Sequence, residues 1–96
     1  MYYRVTKVTH NEDARAKMLA ILDAKNELLQ DFDGLHYVKM VALSDTETLA
    51  ISEYETEAHL QAVETRFREL MMEMMPLMAG PPEVLSGAEF WCFTRD

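Results

Sequence analysis

Hydrophobic and polar positions divide this chain into six segments of two kinds. Tyr2 to Thr9 is short, rich in Tyr, Val and Thr, and ends at the turn-prone pair His10-Asn11, which predicts a strand. Ala14, Met18, Ile21, Leu22, Leu28 and Leu29 then fall on one helical face, predicting a long helix capped by Asn11, with Glu12 and Asp13 in its first turn. Gly34 stands where a left-handed residue would release that helix. Leu35 to Leu43 and Glu47 to Tyr54 predict two strands joined through Ser44-Asp45-Thr46, a connection of hairpin length. Thr56 offers an N-cap for a second helix, along which Leu60, Val63, Phe67, Leu70 and Met74 recur. Pro76 kinks or ends this helix, Gly80-Pro81-Pro82 stops it, and Ala88 to Thr94 is the expected last strand.

The order strand, helix, hairpin, helix, strand predicts an α+β domain of the ferredoxin-like βαββαβ type. A single domain over residues 1–96 carries one four-stranded antiparallel sheet with two helices on one face. The other face should then be wet and polar, but the pattern disagrees. Leu35, Tyr37, Val41 and Leu43 share one parity and Val38, Met40 and Ala42 the other, while Phe90 and Cys92 oppose Trp91 and Phe93. Both faces ask for burial, so a homodimer through the open sheet face is expected, ahead of a helical cover from another protein.

Charge narrows the partners. Nine Lys plus Arg against seventeen Asp plus Glu give a formal net charge of -8, which repels nucleic acid and anionic membrane surfaces. Cys92 is the sole cysteine, which rules out an intrachain disulfide and paired-cysteine zinc patterns. With no apolar leader or spanning stretch near Met1, the expected location is the cytoplasm. Neither a cofactor nor a metal is expected. Met71, Met72, Met74, Met75 and Met78 have no His or Cys beside them to complete a copper site, and read as adaptable packing around Pro76. The run Asp31-Phe32-Asp33-Gly34 lacks the later ligands of a calcium loop, with Ala42 at the closing position.

Three local features, Asp33-Gly34-Leu35, Tyr54-Glu55-Thr56-Glu57-Ala58 and Gly80-Pro81-Pro82, together with the element order, resemble the antibiotic biosynthesis monooxygenase family over nearly the whole chain. The resemblance implies a dimeric α+β barrel with a substrate pocket between sheet and helices in each subunit. It also implies oxidation of electron-rich aromatic molecules without metal or flavin. The family's oxygenases commonly carry a tryptophan at the end of the third strand, where this chain has Tyr54, and an asparagine in the first strand, which Tyr2 to Thr9 lacks. Its haem-degrading members carry an iron-ligating histidine about three turns into the second helix, where this chain has Glu64, so haem degradation is not expected.

The candidate catalytic residues are His36 and Tyr54. Tyr54 offers an apolar ring with one polar handle for a phenolic or quinone-like ligand, and His36 is the first candidate base if the chemistry is isomerase- or lyase-like. The expected pocket is lined by Tyr37, Ser52, Tyr54, Phe67, Met74 and Met78. His10 and His59 read as solvated surface groups, Cys92 as a small buried hydrophobe, and Glu53, Glu55 and Glu57 as an acidic rim. The expected function is cofactor-independent monooxygenation of a small aromatic or apolar metabolite. The alternative is a non-catalytic ligand-binding or stress-responsive barrel.

Overall fold

The computed structural model describes all 96 residues. β1 (Tyr2–Thr9) leads to α1 (Ala14–Ala24) and α2 (Asn26–Gln30). β2 (Leu35–Ser44) and β3 (Glu47–Tyr54) form a hairpin, and α3 (Glu57–Ala62), α4 (Glu64–Met74) and a short 3-10 turn (Met75–Leu77) precede β4 (Glu83–Ala88). All pairings are antiparallel in the order β2-β3-β1-β4, with Tyr2 opposite both Tyr54 and Ala88. This is the expected ferredoxin-like α+β architecture. No helix is long and apolar enough to cross a membrane.

Strand alternation sorts the side chains. Arg4, Thr6 and Val8 of β1 are buried under the helices beside Thr48, Ser52 and Tyr54 of β3. Their odd-numbered neighbours Val5, Leu49 and Ile51 project from the opposite face and are only half-buried. Val41 and Leu85, 41% and 59% exposed, flank them on β2 and β4. The chain therefore leaves one apolar sheet face without a cover of its own.

Under the helices, Val8, Ala14, Met18 and Met74 form one buried cluster, and Tyr54, Leu60 and Val63 a second. The helices differ from the sequence expectation in being broken. At Lys25 (φ -96°, ψ 2°) and Val63 (φ -105°, ψ 10°) the backbone leaves helical geometry, and each N–H turns to the carbonyl three residues back. The Lys25 break sets its ammonium 2.9 Å from Glu73. Helix α1 also starts without the expected Asn11 side-chain cap, since Asn11 uses its main-chain carbonyl to accept from the Ala14 N–H at 3.1 Å. Thr56 does cap its helix, its hydroxyl accepting from the His59 N–H at 3.3 Å.

Gly34 adopts the left-handed conformation (φ 79°) and passes directly against α3. A Cβ there would lie 2.2 Å from the His59 ring, so both backbone and space require glycine.

The last strand lies earlier than expected, at Glu83–Ala88 instead of Ala88 to Thr94, because the antiparallel register sets these six residues opposite Lys7 to Tyr2 of β1. After the Glu89 N–H bonds to the Met1 carbonyl at 2.9 Å, the chain runs on without regular structure. Phe90, Trp91 and Phe93 are 99%, 74% and 70% exposed. Cys92 is exposed with them and is not the buried hydrophobe the sequence suggested.

Candidate active site

A strand residue of even number in β1 faces the helices, and one of these is a cation. Burying a guanidinium is costly unless its charge and donors are met. Arg4, 3% exposed, meets them with groups from three elements. One amino group pairs with the Glu64 carboxylate, and the other donates to the Tyr54 hydroxyl oxygen at 3.2 Å. The guanidinium carbon lies 3.7 Å from the centre of the Phe67 ring and 5.6 Å from that of Tyr54. Glu64 sits in the first turn of α4, where the helix dipole favours an anion, and its side chain is 37% exposed. Because the Tyr54 oxygen accepts from Arg4, its own proton remains available to a ligand.

Arg4, Tyr54 and Phe67 of this cluster line a cavity of about 120 Å³ between the sheet and helices α1, α2 and α4. Fifteen of its twenty-one lining residues are hydrophobic, which selects an apolar body for any ligand. The volume is comparable with the roughly 150 Å³ that takes a benzene ring. On the solvent side the lining includes the Lys25–Glu73 ion pair and Arg66, whose guanidinium carbon stands 5.5 Å from the Phe32 ring centre.

Of the residues expected at the pocket, Tyr54, Phe67 and Met74 line this cavity. Tyr37 does not, because a bulge between Leu35 and Tyr37 turns it to the open face, where the Lys39 ammonium lies 4.5 Å from its ring centre. Ser52 is buried opposite Arg4 but does not reach the cavity wall. Met78 is held at the other end of the sheet by its bridge to His10. His36 lies in the same bulge as Tyr37, outside the cavity, with Nδ1 2.9 Å from the Glu53 carboxylate.

Of the other two histidines, His10 differs from expectation. His10 is 1% exposed instead of solvated, with Nδ1 2.8 Å from the Asn11 carbonyl and Nε2 2.8 Å from the Thr48 hydroxyl. A neutral ring that donates from Nδ1 and accepts at Nε2 satisfies both contacts. His59 is half-buried, 2.7 Å from the Thr56 hydroxyl through Nδ1. No three His, Cys, Asp or Glu side chains converge closely enough to hold a metal ion.

Arg4 and Glu64 were not singled out from the sequence as site residues. The signal was present in the departures from the family's pattern. The asparagine-free first strand, Tyr54 and Glu64 are the three departures, and Arg4, Tyr54 and Glu64 are in mutual contact through Arg4.

The sequence matches no family model and no curated protein. The fold, in contrast, is well represented among solved structures. A monooxygenase from the gene ActVA-Orf6 of Streptomyces coelicolor, solved with the ligand nanaomycin D, superposes with a TM-score of 0.83 at 16% identity over 99% of this chain and 92% of that one. A variant of SnoaB, a cofactor-independent oxygenase from Streptomyces nogalater, gives 0.81 at 10% identity over 98% and 97%. A structure described as an antibiotic biosynthesis monooxygenase gives 0.76 at 12% identity over 94% and 99%. The chain has the antibiotic biosynthesis monooxygenase fold. On this fold, the cavity described above occupies the space between sheet and helices, and its wall includes Arg4 and Tyr54, with Glu64 paired to Arg4 outside the lining.

Proposed function

We propose that this protein is a cofactor-independent monooxygenase acting on a small electron-rich aromatic compound with a phenolic or enolic oxygen. The observation that carries the reading is the Arg4–Tyr54 pair in the wall of a mostly apolar cavity. Such a pair holds an aromatic oxygen by a hydrogen bond from the tyrosine and a fixed positive charge nearby, and both interactions strengthen when that oxygen becomes anionic. The phenol's proton leaves to solvent, and the delocalised anion passes one electron to dioxygen. The radical pair combines at ring carbon to a hydroperoxide, whose O–O bond breaks as water departs and the ring C–H proton is lost. Phenol plus O₂ thus gives quinone plus H₂O, with all four electrons supplied by the substrate.

Oxygen uptake by metal-stripped protein with naphthol- and anthrone-type phenols tests this. One O₂ consumed per quinone formed, without hydrogen peroxide, supports the reading. Saturable binding of these phenols with no oxygen uptake would sink it. That second outcome is the ligand-binding reading, favoured by one observation: His10, His36 and His59 all lie outside the cavity lining, leaving no imidazole to act as a base there.

The functional unit in this proposal is a homodimer through the open sheet face, whose Val5, Val41, Leu49, Ile51 and Leu85 have no cover in one chain. A lone free thiol at Cys92 suits a reducing compartment, and we place the protein in the cytoplasm.

A further inference from the structure

We propose that Arg66 is a carboxylate anchor on the solvent side of the cavity, so that the ligand is an aromatic acid, with one negative charge on Arg66 and its phenolic or enolic oxygen on Arg4 and Tyr54. The inference rests on the proposed function for the cavity and adds to it the ligand's second polar group.

The charges in the cavity wall carry it. Arg4, Lys25, Arg66, Glu69 and Glu73 are the charged lining residues. Arg4 is paired with Glu64, and the Lys25 ammonium lies 2.9 Å from Glu73. Arg66 takes part in none of the protein's ion pairs. Asp33, beside Phe32 in the chain, stands 3.6 Å from His59 instead. Arg66 is nonetheless held in place, its guanidinium carbon 5.5 Å from the centre of the half-buried Phe32 ring, which is itself part of the wall. Contact with the face of a ring uses the cation's charge but none of its N–H donors, which stay free for a ligand. Glu69, further along α4, is unpaired as well, but no hydrogen bond, ion pair or ring contact fixes its position. The organised group is the cation.

Size and charge then define the ligand. A cavity of about 120 Å³ takes roughly one aromatic ring, so the remainder of a larger ligand extends toward solvent, where Arg66 stands. One uncommitted cation matches one negative charge, whereas a phosphate dianion would be left half neutralised. The planar guanidinium fork suits a carboxylate in particular, through two parallel hydrogen bonds. With a net charge of -8 the chain as a whole repels acids, so choosing one demands a cation placed at the site itself.

Calorimetric titration of the full-length protein without oxygen tests this, using the 3-hydroxy and 6-hydroxy isomers of 2-naphthoic acid and their neutral carboxamides. At least one acid should bind about five-fold or more tighter than its own amide. In Arg66→Gln the ratio of acid to amide affinity should fall to about one, and Arg66→Lys, which keeps the charge without the fork, should restore part of it. Glu69→Gln should raise the ratio by removing a like charge. Arg66 is exposed, so these chains should fold, which far-ultraviolet circular dichroism checks. Acids that bind no tighter than their amides, or a preference that survives Arg66→Gln, would overturn the anchor. Tighter binding of 6-(aminomethyl)-2-naphthol than of either acid would also overturn it, assigning this side of the cavity to Glu69. Oxygen uptake with 2-naphthol but no preference for acids sinks the anchor alone, while a preference for acids without oxygen uptake sinks the oxygenase reading alone. No binding of any of these naphthalenes overturns both.

Discussion

The Arg4 guanidinium lies 3.7 Å from the centre of the Phe67 ring and through its amino groups reaches Glu64 and Tyr54, so one buried cation ties β1 to β3 and α4. The two ends of the ion pair are unequally buried, 3% for Arg4 and 37% for Glu64. Removing the carboxylate strands a charge inside the protein, whereas removing the guanidinium leaves a carboxylate that water can reach. Glu64→Ala should therefore cost about 3 kcal/mol and Arg4→Met only about 1 kcal/mol. Urea unfolding of both variants checks the order, and equal losses would contradict the asymmetry.

Tyr54→Phe removes the hydroxyl that accepts from Arg4 and has a proton to give, while keeping the ring in its buried cluster. Stability should fall by about 1 kcal/mol, the net worth of an ordinary hydrogen bond. Under the proposed reaction, kcat with a phenolic substrate should fall about 10- to 100-fold, because the lost interaction strengthens as the substrate becomes anionic. Affinity for a naphthalene lacking the hydroxyl should be unchanged. Equal losses for both ligands would mean that Tyr54 only shapes the cavity.

Element order was legible because each segment carried its own punctuation, and Gly34 shows how fully. Placed after a helical run, it was expected to be left-handed, and it is. The last strand was misplaced because Phe90, Trp91 and Phe93 have stronger strand character than Glu83 to Ala88, yet it is Glu83 to Ala88 that pair with β1, and that register is a tertiary fact. Tyr37 was assigned to a face by counting residues, and a single bulge at the start of β2 shifted that count. His10 sits at a turn, where histidines are usually wet, but Thr48 and Asn11 close over it. The site itself was half legible. Tyr54 stood out by its place at a strand end, while Arg4 looked like any strand arginine until α4 brought Glu64 and Phe67 to it.

Gly34→Ala meets two obstacles, a left-handed backbone and a Cβ 2.2 Å from the His59 ring. The backbone penalty is about 1–2 kcal/mol, and overpacking adds about 1–3 kcal/mol. A double-mutant cycle separates them. His59→Ala removes the ring but leaves a Cβ only 2.7 Å from the added methyl, so it should recover part of the loss in the Gly34→Ala background. Strict additivity in thermal unfolding would show that the His59 ring adds nothing to the penalty.

Tyr3 and Glu53 set the pH limits of the open face. The Tyr3 hydroxyl donates to Glu53, with Glu89 2.8 Å away, and these carboxylates push the phenol far above its usual value of 10.0. The hydrogen bond from Tyr3, and then that from His36, hold the Glu53 carboxyl below its usual 4.5 despite some burial. With its folded pKa lowered, Glu53 contributes stability that is complete above the ordinary carboxylate range and is lost as pH falls through the folded value. Tyr3, raised on folding, contributes stability that is complete below about pH 10 and is lost as pH rises beyond it, where the unfolded phenol ionises first. Thermal unfolding at fixed protein concentration should therefore show Tyr3→Phe losing less stability than the parent between about pH 10 and 11. Glu53→Gln should flatten the acid limb below about pH 4.5. Parallel curves for parent and Tyr3→Phe above pH 10 would mean that the phenol titrates alike folded and unfolded, and the coupling to Glu53 would have to be abandoned.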